Sequence, residues 1–326
     1  MKKIIKLLLA IFSFVLIINF NVKPTNAYAE KIYLGGMPAG FSLQTKGATV
    51  VGICDVITKD GLVSPAKDSE IKIGDVILSI GEYEINSASD IEFALNNSLN
   101  KNVSINRGGK IISEKIIPAK DINGNFRLGV FVRDNVNGIG TVTYIKGNRF
   151  ASLGHPVTDD NGEILKIIGG ELFSCNITGC VKGERGKAGE LRGVFLTKNK
   201  IATIDKNNTC GVFGEIESSL LKTTDLIEVG IGEARMGDAQ IYSTISGNSP
   251  EKYDITIIKT DYGNQSKNFV IKINDKKLLD TTGGIVQGMS GSPILQDGKL
   301  VGAVTHVFIN DPTRGFGISI NNMINA

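Results

Sequence analysis

Beyond residue 120 the sequence consists of about a dozen short apolar runs separated by Gly, Asn and Asp, and this pattern constrains the fold most. Runs of this kind between turn residues predict strands, and their close spacing leaves little room for helices. The 39 glycines and the lack of tryptophan fit a chain with many tight turns. The fold is therefore predicted to be mainly β, with residues 121–326 forming a barrel or sandwich, either as one β domain or as two packed barrels.

Residues 30–120 have a different pattern, which predicts a small α+β domain. Strand-like runs surround one segment, SASDIEFALNNSLN, whose apolar residues recur at helical spacing: Ile91, Ala94, Leu95 and Leu99. Ser87 or Ser89 is expected to cap this helix, because a serine hydroxyl accepts a free backbone N–H at a helix start.

The first 29 residues predict export. Three lysines at the start are followed by the uncharged, apolar residues 7–20, and then by a small-x-small site at Ala27-Tyr28-Ala29. Fourteen apolar residues are short for a bilayer span but suit a signal peptide. Cleavage of this leader and its retention as a membrane anchor both stay open.

Composition and charge exclude several classes of protein. With 41% hydrophobic and 21% charged residues the chain is globular, and it is neither disordered nor a polytopic membrane protein. The formal charge of +3 arises from four lysines of the leader, because without Lys2, Lys3, Lys6 and Lys23 the remainder carries about −1. Nucleic acid is therefore not an expected partner.

The four cysteines do not predict a metal site. Cys54, Cys175, Cys180 and Cys210 form no CxxC pair, and the chain has only two histidines. We expect no metal and no cofactor. The cysteines are interpreted as small buried residues, although one or two disulfides are conceivable in an oxidising compartment.

Glycines surround Ser290 in the string GMSGSP, which is typical of a tight turn that exposes a nucleophile. A serine that attacks a carbonyl needs an exposed Oγ, with backbone N–H groups aimed at the developing oxyanion. A strand, a hairpin at residues 296–299 and a second strand are expected to follow. An α/β-hydrolase elbow is disfavoured, because Ser292 replaces its second glycine and no helix follows. The alternative is a glycine-rich turn whose serine only makes local hydrogen bonds.

A nucleophilic serine needs a base, and the chain offers His155 and His306. His155, in RFASLGHPVTD, is predicted at a strand end, where its side chain can project into a cleft. His306 lies in an apolar strand and is interpreted as a core or cleft-wall residue, with the role of base as its alternative. Chemistry alone leaves the orienting carboxylate open among five aspartates: Asp159, Asp205, Asp225, Asp275 and Asp280.

Two segments resemble known modules. GMSGSP resembles the nucleophile segment of chymotrypsin-like serine peptidases, which implies that the backbone N–H groups of Gly288 and Ser290 form an oxyanion hole. Within residues 30–120, AGFSL and SPAKDSEIKIGDVILSIGEYEI resemble a bacterial PDZ domain. This resemblance implies that Ala39, Gly40 and Phe41 belong to a loop that receives a peptide carboxylate; a scaffold that only packs on its neighbour is the alternative.

The string GGIVQGMSGSPILQDGKLVGAVTHVFINDPTRGFGI, with LGHPVTD and the PDZ-like region before it, closely resembles the SpoIVB (stage IV sporulation protein B) peptidases. The resemblance covers the chain after the leader and implies a triad of His155, Asp275 and Ser290. Family members commonly have proline after this aspartate, where this chain has Lys276. Asp280 therefore stays as the alternative acid.

The resemblance also implies a function. It predicts an exported serine endopeptidase between the two membranes around the forespore, associated with membrane through its N-terminal segment. There it would cleave itself and a membrane-bound regulator, which releases an intramembrane metalloprotease to process a mother-cell sigma-factor precursor. A non-catalytic exported PDZ adaptor and a quality-control protease are the alternatives.

Overall fold

The computed structural model describes residues 31–99, 101–159, 162–217 and 226–326. The predicted leader at 1–29 and the candidate Asp225 lie outside these ranges. The described chain is mainly β, which confirms the predicted fold class. Among the described helices, none has the length and apolar character needed to cross a bilayer.

The strands in chain order are β1 (Ile32–Leu34), β2 (Pro38–Ile53), β3 (Val56–Thr58), β4 (Gly61–Val63), β5 (Val76–Ile80), β6 (Tyr83–Glu84), β7 (Asn102–Arg107), β8 (Lys110–Lys115), β9 (Ala119–Lys120), β10 (Phe126–Arg127), β11 (Val130–Lys146), β12 (Arg149–Ser152), β13 (Ile167–Val181), β14 (Glu190–Asn208), β15 (Gly211–Ile216), β16 (Gly230–Ile231), β17 (Gly237–Ser243), β18 (Glu251–Thr260), β19 (Phe269–Ile273), β20 (Pro293–Gln296), β21 (Lys299–Phe308) and β22 (Asp311–Ser319). The helices are α1 (Ala88–Asn97), α2 (Lys276–Thr282) and α3 (Ile320–Ile324).

Six strands close into a first barrel in the order β2, β11, β12, β15, β14 and β13. The ring is complete because β2 pairs with β11 along one edge and with β13 along the other. Irregularities in the pairing of β13 with β14 let these long strands bend around the barrel. The barrel core contains large apolar side chains: Phe41, Leu43, Val142, Phe150, Leu172 and Ile204.

A second barrel of six strands follows, in the order β21, β20, β17, β18, β19 and β22, and β22 returns to pair with β21. Its strands alternate as the sequence predicts: in β18 the side chains of Tyr253, Ile255 and Ile257 are buried. The predicted hairpin between β20 and β21 is confirmed. Asp297 and Gly298, at its tip, have φ of 51° and 74°, as a type I′ turn requires.

The two barrels pack against each other through a shared apolar cluster. The first barrel contributes Tyr144 and Phe213, and the second contributes Leu295 and Ile318. Helix α3 packs against the same cluster with two buried side chains. The seam between the barrels is therefore a continuous hydrophobic contact, which fixes the relative positions of the loops at its rim.

The small domain extends the barrel sheet through β2, β5, β7 and β8, and α1 packs on it. The helix is capped by Ser87, whose Oγ accepts the N–H of Asp90 (3.1 Å), as one of the two predicted caps. The apolar residues predicted on its buried face are buried, with one exception. Leu99 lies beyond the helix end at Asn97 and is fully exposed, because the helix stops before the apolar spacing does.

Two continuous strands, β2 and β11, run through both the small domain and the first barrel. Residues 38–45 of β2 pair within the barrel, whereas residues 48–53 pair with β5 and with the start of β11. Gly47 lies between these parts with φ of +87°, where a Cβ would be 2.5 Å from Val76 Cγ1. The predicted boundary at residues 120 and 121 does not match this arrangement, because the small domain is inserted between two barrel strands. Ile32–Ala326 form one compact unit.

Candidate active site

A cavity of about 390 Å³ lies where the two barrels meet, and both Ser290 and His155 line it. Ser290 belongs to the nucleophile loop, defined as residues 287–292, just before β20. His155 follows β12 of the first barrel. Each barrel therefore supplies one of the two side chains that were predicted from the sequence to act as nucleophile and base.

Glycine is needed on both sides of Ser290. Gly288 and Gly291 have φ of 98° and 91°, a left-handed conformation that other residues rarely adopt. A Cβ on Gly291 would lie 2.1 Å from the carbonyl oxygen of Thr141 and 2.5 Å from the backbone nitrogen of Leu153. The nucleophile loop therefore touches the backbone of the first barrel so closely that a single methyl group would not fit.

Two threonines of β11 bind the carbonyl groups of the nucleophile loop. Thr141 donates its hydroxyl to Gly288 O (2.9 Å) and its backbone N–H to Ser290 O (3.0 Å). Thr143 donates its hydroxyl to Gly291 O (2.7 Å). Both threonine side chains are buried, so these bonds are shielded from water and hold the loop firmly.

The backbone N–H groups of Gly288 and Ser290 point away from these interactions. The carbonyl of Gln287 accepts a backbone N–H of β14 (2.8 Å), and the carbonyl of Met289 accepts the N–H of Ser292 (3.0 Å). In a trans peptide unit the N–H points opposite to the carbonyl, and no described peptide bond is cis. Among the described residues, neither N–H has a protein partner. Two free donors on the cavity wall are what an oxyanion requires.

The Ser290 hydroxyl is half-buried and donates to the backbone carbonyl of Thr305, with an Oγ–O distance of 2.8 Å. It therefore points along the wall formed by β21. Attack on a substrate requires rotation of the Ser290 side chain about χ1, so that the hydroxyl leaves Thr305 and meets an imidazole.

His155 projects into the cavity from a tight turn. Leu153 and Gly154, which precede it, have φ of 66° and 68°. Leu153 is not glycine, so its left-handed conformation costs roughly 1–3 kcal/mol, and burial of its side chain offsets this cost. A Cβ on Gly154 would lie 2.9 Å from atoms of Ile318 and Thr305 in the second barrel. The histidine turn is therefore also seated at the seam.

Hydrogen bonding fixes the protonation state of His155. Its Nδ1 lies 2.8 Å from the carbonyl oxygen of Pro156, so in the neutral ring Nδ1 carries the proton and Nε2 has a free lone pair. Burial lowers the pKa of His155, whereas the Pro156 hydrogen bond opposes this shift. The imidazole is therefore neutral near pH 7 and can accept a proton at Nε2.

His306 lies on β21 and packs beside His155, with ring centroids 4.7 Å apart and planes tilted by 40°. Loss of solvent contact at the packed face lowers its pKa, and the nearby charge of His155 lowers it further. His306 thus lies on the cavity wall, which is the second of its two predicted positions, and its side chain is not part of the core.

The structure does not bring Asp275 to His155, which corrects the triad implied by the family resemblance. Asp275 caps α2: its Oδ1 accepts the N–H of Leu278 (2.8 Å), because a carboxylate before a helix satisfies a free N–H. The alternative, Asp280, is exposed on α2. Among the described residues that line the cavity, there is no aspartate or glutamate.

Two further candidate aspartates also have other partners. Asp205 forms an ion pair with Arg149 on the surface, with N–O distances of 2.8 Å. Asp159 accepts the N–H of Glu163 (3.0 Å) within its own turn. Neither lines the cavity.

Ala39, Gly40 and Phe41 do not form a carboxylate-binding loop. They lie within β2, where Ala39 and Phe41 are buried in the first barrel. The strand pairs with β11 on one side and with β13 on the other, so its backbone N–H groups already have partners. The prediction for this segment was wrong because AGFSL is a barrel strand.

Three groups at the site were not predicted from the sequence: Thr141, Thr143 and the carbonyl of Pro156. The two threonines had a signal, because GTVTYI places hydroxyls at alternate positions of an apolar strand and hence on one face. The Pro156 carbonyl had none, since every residue carries a backbone carbonyl.

Residues 124–324 match the sequence pattern of the family described as SpoIVB peptidase S55. No curated protein matches the chain. A crystal structure of Rv3671c protease in its inactive form is 13% identical and has a TM-score of 0.35, over 57% of this chain and 81% of that one. A crystal structure of the active form, from M. tuberculosis, is 14% identical and has a TM-score of 0.34. That match covers 58% of this chain and 72% of the other.

The family match spans more than half of the chain and includes His155, Ser290 and the whole second barrel. The cavity holds a serine, a neutral imidazole and two free backbone donors, which suits acyl transfer. The chain belongs to the SpoIVB peptidase S55 family and is a serine peptidase.

Proposed function

We propose that this protein is a sporulation-signalling endopeptidase in which Ser290 is the nucleophile and His155 the general base. The observation that carries the chemistry is the joint placement of Ser290, His155 and the free N–H groups of Gly288 and Ser290 in one cavity. Family membership supports the biological role, in which the protein cleaves itself and then a membrane-bound regulator. That cleavage releases an intramembrane metalloprotease, which processes a mother-cell sigma-factor precursor.

The reaction begins when the Ser290 hydroxyl turns from Thr305 to His155. Nε2 takes its proton while Oγ bonds to the carbonyl carbon of the scissile peptide. The carbonyl oxygen gains negative charge and receives the N–H groups of Gly288 and Ser290. His155 then gives its proton to the leaving amine, the C–N bond breaks, and an acyl-enzyme remains. Water repeats the sequence and restores the hydroxyl.

The cavity walls favour an apolar substrate side chain. They are lined by apolar residues of both barrels, such as Leu43, Ile139 and Ile285, and by none of the acidic residues that the structure describes. A basic side chain would find no counter-charge there and would lose its hydration. We therefore expect cleavage after or before apolar residues, with narrow specificity.

The small domain is proposed to hold a peptide segment of the protein substrate, in a groove between α1 and the start of β11. The groove measures about 600 Å³, with Ile91, Leu95, Val130 and Val132 among its apolar lining. No described strand pairs with the outer edge of β11 at residues 130–133, so an extended peptide has backbone groups to pair with. The same strand lines the active-site cavity at residues 136–139, which makes the cleaved protein the natural occupant.

The export of the chain through its leader is proposed on the sequence pattern of residues 1–29. The protein then acts between the two membranes that surround the forespore, and it is associated with membrane through this segment before self-cleavage.

A mass-spectrometric map of N-termini tests the proposed activity. Wild-type protein should show new N-termini near the N-terminal region, and Ser290→Ala should show none. Purified enzyme offered unfolded casein and the ectodomain of a membrane-bound regulator should cleave the ectodomain in preference. Preference for casein would indicate a quality-control protease instead.

The proposed groove is tested with two variants of one strand. Val132→Glu places a charge in the groove, whereas Phe131→Glu changes the opposite face, where the side chain is 62% exposed. Val132→Glu should raise KM for the regulator ectodomain about tenfold or more and leave a short peptide unaffected. Equal effects of both variants would argue against the groove.

A further inference from the structure

The imidazole of His155 is held by a backbone group. Its Nδ1 donates to the carbonyl of Pro156, and no described acidic residue lines the cavity. When His155 becomes an imidazolium during catalysis, this carbonyl is the group that shares the new positive charge. An amide carbonyl carries only a partial charge, so its orientation and polarisation decide how well it performs this task.

The peptide unit between Pro156 and Val157 is bound on its other side by one side chain. The N–H of Val157 donates to Oδ1 of Asn207, with an N–O distance of 2.9 Å. The carbonyl that faces His155 and the N–H that faces Asn207 therefore belong to the same planar group. Withdrawal of the N–H proton toward Asn207 increases the negative charge on the carbonyl oxygen that faces His155.

Asn207 also fixes the position of this segment. Its Nδ2 donates to the carbonyls of Val157 (2.8 Å) and Leu165 (2.9 Å), and the N–H of Leu165 donates to Val157 O (2.9 Å). Asn207 lies near the end of β14, where its backbone pairs with Val212 of β15. A side chain anchored on the barrel thus clamps the segment that follows His155.

We propose that Asn207 is the positioning residue of the active site, and that it acts on His155 through the peptide unit between Pro156 and Val157. It takes the place that an aspartate holds in a Ser-His-Asp triad, because it fixes the tautomer and polarises the acceptor of the imidazolium. The proposal rests on the proposed function, in which His155 is the general base.

The amide is suited to this position because it must do two things at once. It accepts one N–H and donates to two carbonyls, which neither a carboxylate nor an aliphatic side chain can do. Leucine has nearly the same shape without the hydrogen bonds. Aspartate keeps the acceptor for Val157 and loses both donors.

The kinetic test compares Asn207→Leu, Asn207→Asp and the wild type with a short peptide substrate. Asn207→Leu should lower kcat about 100-fold with little change in KM, because misplacement of a catalytic group by a fraction of an ångström has effects of this size. Asn207→Asp should retain more activity than Asn207→Leu, since its charge still polarises the peptide unit.

Asn208→Leu is the matched control. Asn208 is the next residue of the same strand, and its Oδ1 accepts the N–H of Cys210 rather than any group near His155. Its loss should leave kcat within about twofold of the wild type, since changes away from the reacting groups have small effects. Circular dichroism and urea unfolding would verify that all three variants fold.

Nuclear magnetic resonance supplies a readout that a purely structural role would not change. The chain has two histidines, so in the His306→Gln background the only imidazole signal belongs to His155. Asn207→Leu should move the pKa of His155 further down, because the stabilising carbonyl is less polarised, and Asn207→Asp should move it up.

The proposal would be overturned by a folded Asn207→Leu variant with wild-type kcat, or by a His155 pKa that is the same in all three forms. These results differ from failure of the proposed function, which would appear as a wild-type enzyme that neither cleaves peptide nor reacts at Ser290. A loss of kcat that is equal in Asn207→Leu and Asn208→Leu would also count against a specific role for Asn207.

Discussion

The nucleophile loop and the histidine turn meet in one cavity and both touch the seam closely, but the side chains of Ser290 and His155 depend on different contacts. The loop around Ser290 is fixed by buried hydrogen bonds from β11 and by backbone contact across the seam that leaves no room for a Cβ on Gly291. The imidazole of His155 is fixed by a series of hydrogen bonds that ends at Asn207. Steric contact leaves a site little freedom to change, whereas a hydrogen-bond series can be adjusted in steps. We therefore expect substitutions on the histidine side to change the activity in smaller steps than substitutions in the nucleophile loop.

Removal of the nucleophile should have the largest effect. Ser290→Ala should lower kcat by a factor on the order of 10⁶, as loss of a triad serine does elsewhere. A fluorophosphonate probe and peptide hydrolysis measure this effect. Ser249→Ala changes an exposed serine outside the cavity and is the control. This variant should react with the probe as fully as the wild type does. Labelling that survives in Ser290→Ala would remove the nucleophile assignment.

The two histidines should differ in their effects. His155→Ala should lower kcat by roughly 10⁴-fold or more, because the serine loses its base. His306→Ala should lower it less than about tenfold, since that ring only packs beside the base. Peptide hydrolysis by both variants at one pH decides between them. A larger loss of kcat in His306→Ala than in His155→Ala would make His306 the base. Asn207, which acts through His155, would then have no role in the reaction.

The steric character of the nucleophile side can be measured as stability. Gly291→Ala should lower the free energy of unfolding by about 3 kcal/mol or more, because the methyl group overlaps the first barrel. Gly298→Ala is the control: its φ is also positive, at 74°, but a Cβ there meets no atom within 4 Å. Gly298→Ala should lower the free energy of unfolding, measured in urea, by about 1 kcal/mol. Equal losses would mean that only backbone conformation matters.

The pH profile should show the neutral base. The pKa of His155 is below its ordinary value of about 6.5, so the acid limb of kcat/KM should lie below that pH. The folded state disfavours the charged ring, so the unfolded chain binds the proton first as pH falls. The neutral ring of His155 therefore contributes to the free energy of unfolding. This contribution is complete above about pH 6.5 and is lost as pH falls toward the pKa of His155 in the folded state. If kcat/KM instead begins to fall at a pH above 6.5, the result would contradict the burial of His155.

The smallest effect on activity is expected at Asp275. Asp275→Ala should lower the free energy of unfolding by about 1 kcal/mol through loss of the α2 cap, and kcat should stay within about twofold. Asp280→Ala, an exposed position on the same helix, should change neither quantity. A loss of activity by orders of magnitude in folded Asp275→Ala would restore the aspartate to the triad.

Local chemistry made part of this protein predictable. The strands alternate in burial as their sequences indicate, and the glycines around Ser290 predicted a turn that only small residues can make. The position of His155 at a strand end followed from the proline after it. Each of these features depends on residues that are neighbours along the chain.

The features that were mispredicted depend on long-range pairing. AGFSL looks like a loop until both of its edges are paired, by strands that lie about 100 and 130 residues further along the chain. Asp275 has the spacing that the family suggests, but a helix start competes for its carboxylate. Asn207 lies 50 residues from Val157, and nothing in its local sequence marks the contact.

Because β2 and β11 run through both domains, the small domain is not an independent module that can be removed without disturbing the first barrel. Residues 130–133 of β11 lie along the groove, and Thr141 of the same strand binds the carbonyl of Gly288 in the nucleophile loop. The proposed peptide groove and the nucleophile loop are therefore linked through one strand. Deletion or exchange of the small domain should therefore abolish peptidase activity.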